Sequence, residues 1–143
     1  MRIFNRRARY DYQLLEKFEA GIVLTGPEVK SVKNGHLHLE EAFGRFINGE
    51  LWLVNAHIHP YRFADNREYD PRRSRKLLLH RNELLKLAHE SKHRGLTIVP
   101  VSCYTKGNKI KLEIALAKGK KKYEKKEAIK KRDIEREIRN SNF

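Results

Sequence analysis

The sequence predicts a mainly β fold: a small antiparallel barrel with two or three flanking helices and a basic C-terminal tail. Three observations carry that expectation. Residues 109–116 alternate between apolar Ile110, Leu112, Ile114 and Leu116 and the set Lys109, Lys111, Glu113 and Ala115, the period of a strand with one face in a core. Asn48-Gly49 stands between Phe46-Ile47 and Leu51-Trp52-Leu53-Val54, a strong short hairpin signal. Finally, strand-like segments alternate with helical ones too sparsely for a doubly wound parallel sheet. Five or six short antiparallel strands in a basic chain of 143 residues fit a partly open Greek-key barrel of the oligonucleotide-binding type.

Taken in order, residues 1–10 hold four arginines, Asn5 and Tyr10 and almost nothing to bury, so they read as an arm feeding the first strand. Residues 12–24 have the even apolar spacing of a strand, bent at Gly21. Thr25 with Glu28 three residues on is a capping box, Pro27 fits the first turn, and Gly35 ends a short helix over 27–34. Residues 36–58 read as paired strands. Residues 60–75 are polar, Pro-punctuated and basic at the end, which predicts an exposed loop. Leu77-Leu78-Leu79 leads from the core into a helix over 81–92, whose apolar face is Leu84, Leu85, Leu87 and Ala88 and whose stop is Gly95. Residues 96–104 form another strand, in which Pro100 demands an edge, an end or a bulge. The chain then divides into a barrel domain over 1–117 and a tail over 118–143.

Charge narrows the function classes. The formal net charge is +14 and the pI is about 10.0, with 35% charged residues against a usual quarter. No apolar run is long enough to span a bilayer, no signal peptide is visible and no broad-faced basic helix for a membrane surface stands out. The single Cys103 lies among apolar strand residues with no partner, which fits a small core residue in a reducing, cytoplasmic setting. Residues 117–139 carry eleven Lys or Arg against five Asp or Glu, with only Tyr123, Ile129, Ile134 and Ile138 as large apolar residues. So thin a stripe cannot bury a helix against a core. The segment reads as a basic arm that folds against a polyanion.

Catalytic and metal patterns are weak. His36-Leu37-His38 and His57-Ile58-His59 each put two imidazoles on one face of a strand, a geometry zinc can use. A third ligand is missing at any diagnostic spacing. There is no G-x-S-x-G, H-E-x-x-H, Walker loop or cysteine pair. No catalytic residue, metal site or cofactor is therefore assigned. What remains is basic residues interleaved with rings: Arg6, Arg7 and Arg9 with Tyr10 and Tyr12, and 120–122 with Tyr123. They combine phosphate neutralisation with stackable surfaces.

Read together, NRRARYDY at 5–12, FEAGIVLTGPEVKS at 18–31, NAHIHPY at 55–61, DPRRSRKLLLH at 70–80, GLTIVPV at 95–101 and LAKGKKKYEKKE at 116–127 closely resemble the small protein B family, the SsrA-binding proteins. The resemblance implies a monomeric adaptor that binds the tRNA-like domain of transfer-messenger RNA and brings it to stalled ribosomes. It implies RNA contacts at Asn5, Arg7, Arg9, Tyr12, Glu19, Lys111, Lys118, Lys120 and Lys121, and ribosome contacts near the decoding centre at Tyr123, Lys125 and Lys126. The charge of the tail adds Lys130, Lys131 and Arg132 as phosphate partners on the ribosome. This chain departs from the family pattern in Glu124-Lys125-Lys126, where Asp-Lys-Arg is usual, and in Tyr69-Asp70-Pro71, where His-Asp-Pro is usual. His36-Leu37-His38 has no counterpart in the pattern.

Overall fold

The computed structural model describes residues 1–120 and Arg132. In chain order the elements are β1 (Arg2–Phe4), α1 (Arg6–Asp11), β2 (Tyr12–Ile22), α2 (Gly26–Lys33), β3 (Leu37–His38), β4 (Phe43–Ile47), β5 (Glu50–Val54), β6 (His57–Ile58), β7 (Arg75–Leu78), α3 (Arg81–Arg94), β8 (Thr97–Lys106) and β9 (Lys109–Gly119). Of the tail, Lys121, Tyr123, Lys125, Lys126, Lys130 and Lys131 lie outside the described residues.

The barrel is a ring of six antiparallel strands. Its order is β8-β4-β5-β7-β2-β9, closed by the pairing of β9 with β8, and β1 adds to the outer part of β8. The alternation of β9 is realised as expected: Ile110, Leu112, Ile114 and Leu116 are buried and Lys109, Lys111 and Glu113 reach solvent. Ala115 and Ala117 are also buried; at the far end of β9, Ala8 of α1 and Val99 pack against Ala117. Asn48 and Gly49 take φ of 51° and 78° in the β4–β5 turn, the left-handed pair that the sequence announces. Pro100 falls where the β8–β9 register shifts, so its missing N–H coincides with the bulge. Cys103 is buried in the core, and burial pushes its thiol up to about 12.

The narrowest seam of the ring lies between β4 and β8, which meet in a single register pair, Gly44 opposite Ile98. A Cβ on Gly44 would stand 2.7 Å from Ile98 Cγ2 and 2.9 Å from its Cβ, so only a glycine permits this approach. Asn5 bridges the same junction. It is buried, and its side-chain amide donates to the carbonyls of Leu39 (3.1 Å) and Pro100 (2.9 Å).

Three expectations are corrected by long-range pairing. The N-terminal arm is a strand and a helix: β1 gains a β8 edge to pair with, and α1 buries Ala8. Leu85 is 59% exposed, and Leu87 is the buried residue of α3. The loop over 60–75 ends in β7, whose Arg75 is 0% exposed.

Arg75 belongs to a buried ionic cluster around Glu28, itself 1% exposed. Thr25 and Glu28 form the expected capping box. The same carboxylate accepts from Arg75 Nη2 at 2.6 Å and Nε at 2.9 Å, from the Tyr69 hydroxyl at 3.1 Å and from the guanidinium of Arg73. Arg75 also donates to the carbonyls of Ala56 (2.6 Å) and Pro71 (3.0 Å). Burial alone would raise the Glu28 carboxyl, but the bonds from Arg73, the Thr25 N–H and Arg75 hold it down at about 2. The unfolded chain therefore binds a proton more readily than the folded one, so this stabilisation is complete above about pH 4.5 and is lost as pH falls toward 2. Glu28→Gln is expected to lower the unfolding free energy at pH 7 by about 3–5 kcal/mol, the usual cost of leaving buried cations unpaired. Urea titrations followed by circular dichroism should show the gap from the parent protein narrowing at pH 2–3. A gap that does not change with pH would mean that the carboxylate charge is not what holds the cluster.

Candidate nucleic-acid interface

A long ladder of the barrel, β2 with β9, runs from Tyr12 opposite Gly119 to Gly21 opposite Lys111. It sorts the expected RNA-contacting residues into two groups at its two ends. Tyr12 and Lys118 lie at one end together with Arg7, Arg9 and Lys120 around α1, whereas Glu19 and Lys111 lie at the other. Seven residues of extended chain at roughly 3.4 Å each separate Tyr12 from Glu19 by about 24 Å.

At the second end, a cleft of about 590 Å³ is lined by Glu19, His80, Asn108, Lys109 and Lys111 over an apolar floor that includes Ile22 and Leu79. Glu19 accepts from the Tyr104 hydroxyl and from Lys106 Nζ at 3.2 Å. The Tyr104 bond first, and Lys106 after it, hold the Glu19 carboxyl below the usual carboxylate range. Burial, reinforced by the bond to Glu19, pushes the Tyr104 hydroxyl up to about 12, and the Arg2 guanidinium sits 4.5 Å from the centre of its ring. The carboxylate thus stays ionised and aimed, with lone pairs left over for an N–H of a nucleobase, inside a rim of lysines suited to phosphates. Tyr104, Lys106, Asn108 and Lys109 were not singled out by sequence reasoning. They lie in and beside the β8–β9 turn, whose proximity to Glu19 follows only from the barrel register.

At the first end, Arg7 is exposed and pairs with Asp11 at 3.5 Å, and Arg9 and Lys118 are exposed. Lys120 folds back: its Nζ donates to the Arg9 carbonyl at 2.7 Å and its N–H to the Asp11 carbonyl at 2.9 Å. Tyr12 is half-buried against the small cluster of Ala8, Val99 and Ala117. Asn5 lies inside, at the N-cap position of α1, with its Nδ2 taken up by the carbonyls of Leu39 and Pro100. Arg132 is exposed and lines a second cleft with Arg6 and Arg9.

The two histidine pairs meet. β3 and β6 pair with His38 opposite His57, ring centres 5.8 Å apart, and His36 lies 5.6 Å from His59. Among the described residues, no three His, Cys, Asp or Glu side chains stand close enough to hold a metal ion. His57 Nδ1 is buried without a hydrogen-bond partner among the described residues. Burial first, then Arg72, His38, His59 and Arg75, hold the His57 imidazole below its ordinary value. The unfolded chain takes up that proton more readily than the folded one, so stability should fall as pH drops below about 6.5. Thermal melts between pH 7.5 and 5 should show this decline, and His57→Gln should flatten it. An unchanged slope in the variant would assign the decline to other groups.

The chain matches the SmpB protein family over residues 2–142. The SsrA-binding protein of Sulfurihydrogenibium sp. (strain YO3AOP1) is 55% identical to it over 137 residues, 96% of this chain and 90% of that protein. The SsrA-binding protein of Carboxydothermus hydrogenoformans is 51% identical over 134 residues, 94% of this chain and 90% of that protein. A solved structure described as "tmRNA-SmpB: a journey to the center of the bacterial ribosome" superposes with a TM-score of 0.71 at 46% identity, covering 90% of this chain and 94% of the other. Matched over nearly its whole sequence and sharing its fold with that solved structure, the chain belongs to the SmpB protein family.

Proposed function

We infer that the protein is the RNA-binding adaptor of trans-translation: it binds transfer-messenger RNA and acts with it at the ribosome. Family membership carries this reading, together with a structural neighbour described as transfer-messenger RNA with SmpB in the bacterial ribosome. In the proposed mechanism the adaptor is a non-catalytic cytoplasmic monomer. It captures the tRNA-like domain on the barrel and delivers it to a stalled ribosome, where the nascent chain is tagged and released.

The geometry supports a division of labour along the β2–β9 ladder. Lys109 and Lys111 neutralise phosphates at the cleft while Glu19 accepts from a base edge or from the ribose. Arg7, Arg9 and Lys118 meet the backbone of the RNA at the α1 end. Lys120 and Lys121 join that RNA-contacting set, whereas Tyr123, Lys125, Lys126, Lys130, Lys131 and Arg132 act later, on the ribosome, where phosphate contacts offset the ordering cost of a segment too thin in apolar residues to fold on a core.

Affinity for the tRNA-like domain should fall linearly with salt on a log–log plot. Lys111→Ala and Lys118→Ala should each lower the slope by roughly 0.7–0.9. Filter binding or fluorescence anisotropy from 50 to 300 mM salt measures this, and unchanged slopes would remove both lysines from the interface.

Truncation after Lys122 separates the two roles. Binding to transfer-messenger RNA should stay within a few-fold of the full chain, while tagging in a reconstituted translation reaction on a message without a stop codon should be lost. Normal tagging by the truncated chain would overturn the role given to the tail.

A further inference from the structure

The loop between β6 and β7 presents a ring to water. Phe63 is 72% exposed, more than any other exposed large hydrophobic among the described residues. It does not stand alone. The guanidinium of Arg62 lies 4.5 Å from the centre of the Phe63 ring, Tyr61 meets it edge-on with ring centres 5.4 Å apart, and Lys30 of α2 lies 5.4 Å from the centre of the Tyr61 ring. Two touching rings thus stand between two cations, Lys30 on the Tyr61 side and Arg62 on the Phe63 side.

The backbone under these rings is fixed by dedicated bonds. Asn66 Nδ2 donates to the carbonyls of Tyr61 (2.8 Å) and Ala64 (3.1 Å), and the Ala64 N–H donates to the Tyr61 carbonyl at 3.0 Å. Beyond the tip, Tyr69, Arg73 and Arg75 anchor the loop to Glu28. A ring exposed at the tip of a tied loop contributes little to folding, because its apolar surface stays in water. It is instead ready to stack on a planar partner at low entropic cost, since neither backbone nor ring has to be ordered on binding.

The surroundings decide which partner. Lys30 and Arg62 give the edge of the tip a positive rim, Asp65 is taken up by a bidentate pair with Arg67, and the chain as a whole carries +14. A largely exposed aromatic ring beside a cation suits a nucleobase attached to its phosphate. The tip is also separate from the Glu19 cleft. Val29 of α2 lines that cleft, whereas Thr25, Pro27 and Glu28 of the same helix line the hollow beside Tyr61, so the two sites flank α2 on different sides.

We propose that the Phe63 tip is a stacking site for one unpaired RNA base, whose phosphate rests on Arg62 and Lys30. This second contact rests on the reading of the protein as an RNA-binding adaptor. Nothing in the Glu19 cleft or the tail is needed for it.

The test uses the full chain and an eight-nucleotide single-stranded RNA carrying one 4-thiouridine. Fluorescence anisotropy measures affinity, and irradiation followed by mass spectrometry maps the adduct. Phe63→Ala should bind the octamer about tenfold more weakly, Phe63→Trp should restore binding, and Lys111→Ala should leave the adduct in place. The adduct should fall within 61–63. Equal affinity of the parent and Phe63→Ala proteins, or an adduct elsewhere, overturns the stacking site while leaving the adaptor reading intact. If the parent binds the tRNA-like domain but not the octamer, the stacking site is likewise overturned. Binding to neither RNA overturns the adaptor reading itself. If Phe63→Ala lowers affinity for ribosomes but not for the octamer, the tip is assigned to a protein partner and the proposal fails.

Discussion

A single buried carboxylate organises one side of this molecule. Glu28 caps its own helix through the Thr25 N–H, and it receives two guanidiniums and a phenol from a segment more than forty residues away. Charges removed from water are costly unless every lone pair and every N–H finds a partner. Here the partners come from α2, from β7 and from the loop that joins β6 to β7, so none of the three can shift without stranding a charge. Two features described above depend on that constraint. The floor of the Glu19 cleft includes Val29 of α2 and Leu78 of β7, and the Phe63 tip is the far end of the loop that Tyr69 and Arg73 tie down.

Local patterns were legible in the sequence because their physics is local. The alternation in β9 requires only a period of two, the Asn48-Gly49 turn requires two positive φ angles, and the Thr25–Glu28 box requires a spacing of three. The likeness to the small protein B family was legible too, through its strings. Arg75 was not. It sits in a run, Arg72-Arg73-Ser74-Arg75-Lys76, whose composition is that of a solvated loop, and nothing in the run separates the fully buried arginine from the exposed Arg72. Only the position of Glu28 across the fold does so. The N-terminal segment was misread for the same reason. Arg2–Phe4 is too short and too polar to announce a strand, and it becomes one because β8 offers an edge.

The candidate surface shows the same division between local and non-local information. The residue types that favour RNA were visible as basic residues beside rings. Their grouping into two ends of one ladder was not, since it depends on the β2–β9 register and its shift between Leu14 and Glu16. A paired ladder is stiff, so the two groups keep a fixed separation, and a folded RNA that touches both must present its backbone at matching intervals. Shape selection of this kind lets a surface of ordinary lysines and arginines discriminate among RNAs without reading bases.

The clamp made by Asn5 has a consequence for synthesis. Its amide joins Leu39 to Pro100, which lies 95 positions beyond Asn5 in the chain, beside the one pair at which β4 meets β8. Translation delivers Asn5 early and Pro100 late. Until the later residue clears the exit tunnel, the barrel lacks β8, β9 and the partner that holds the N-terminal helix in place. The fold therefore closes only once nearly all of the chain has been made.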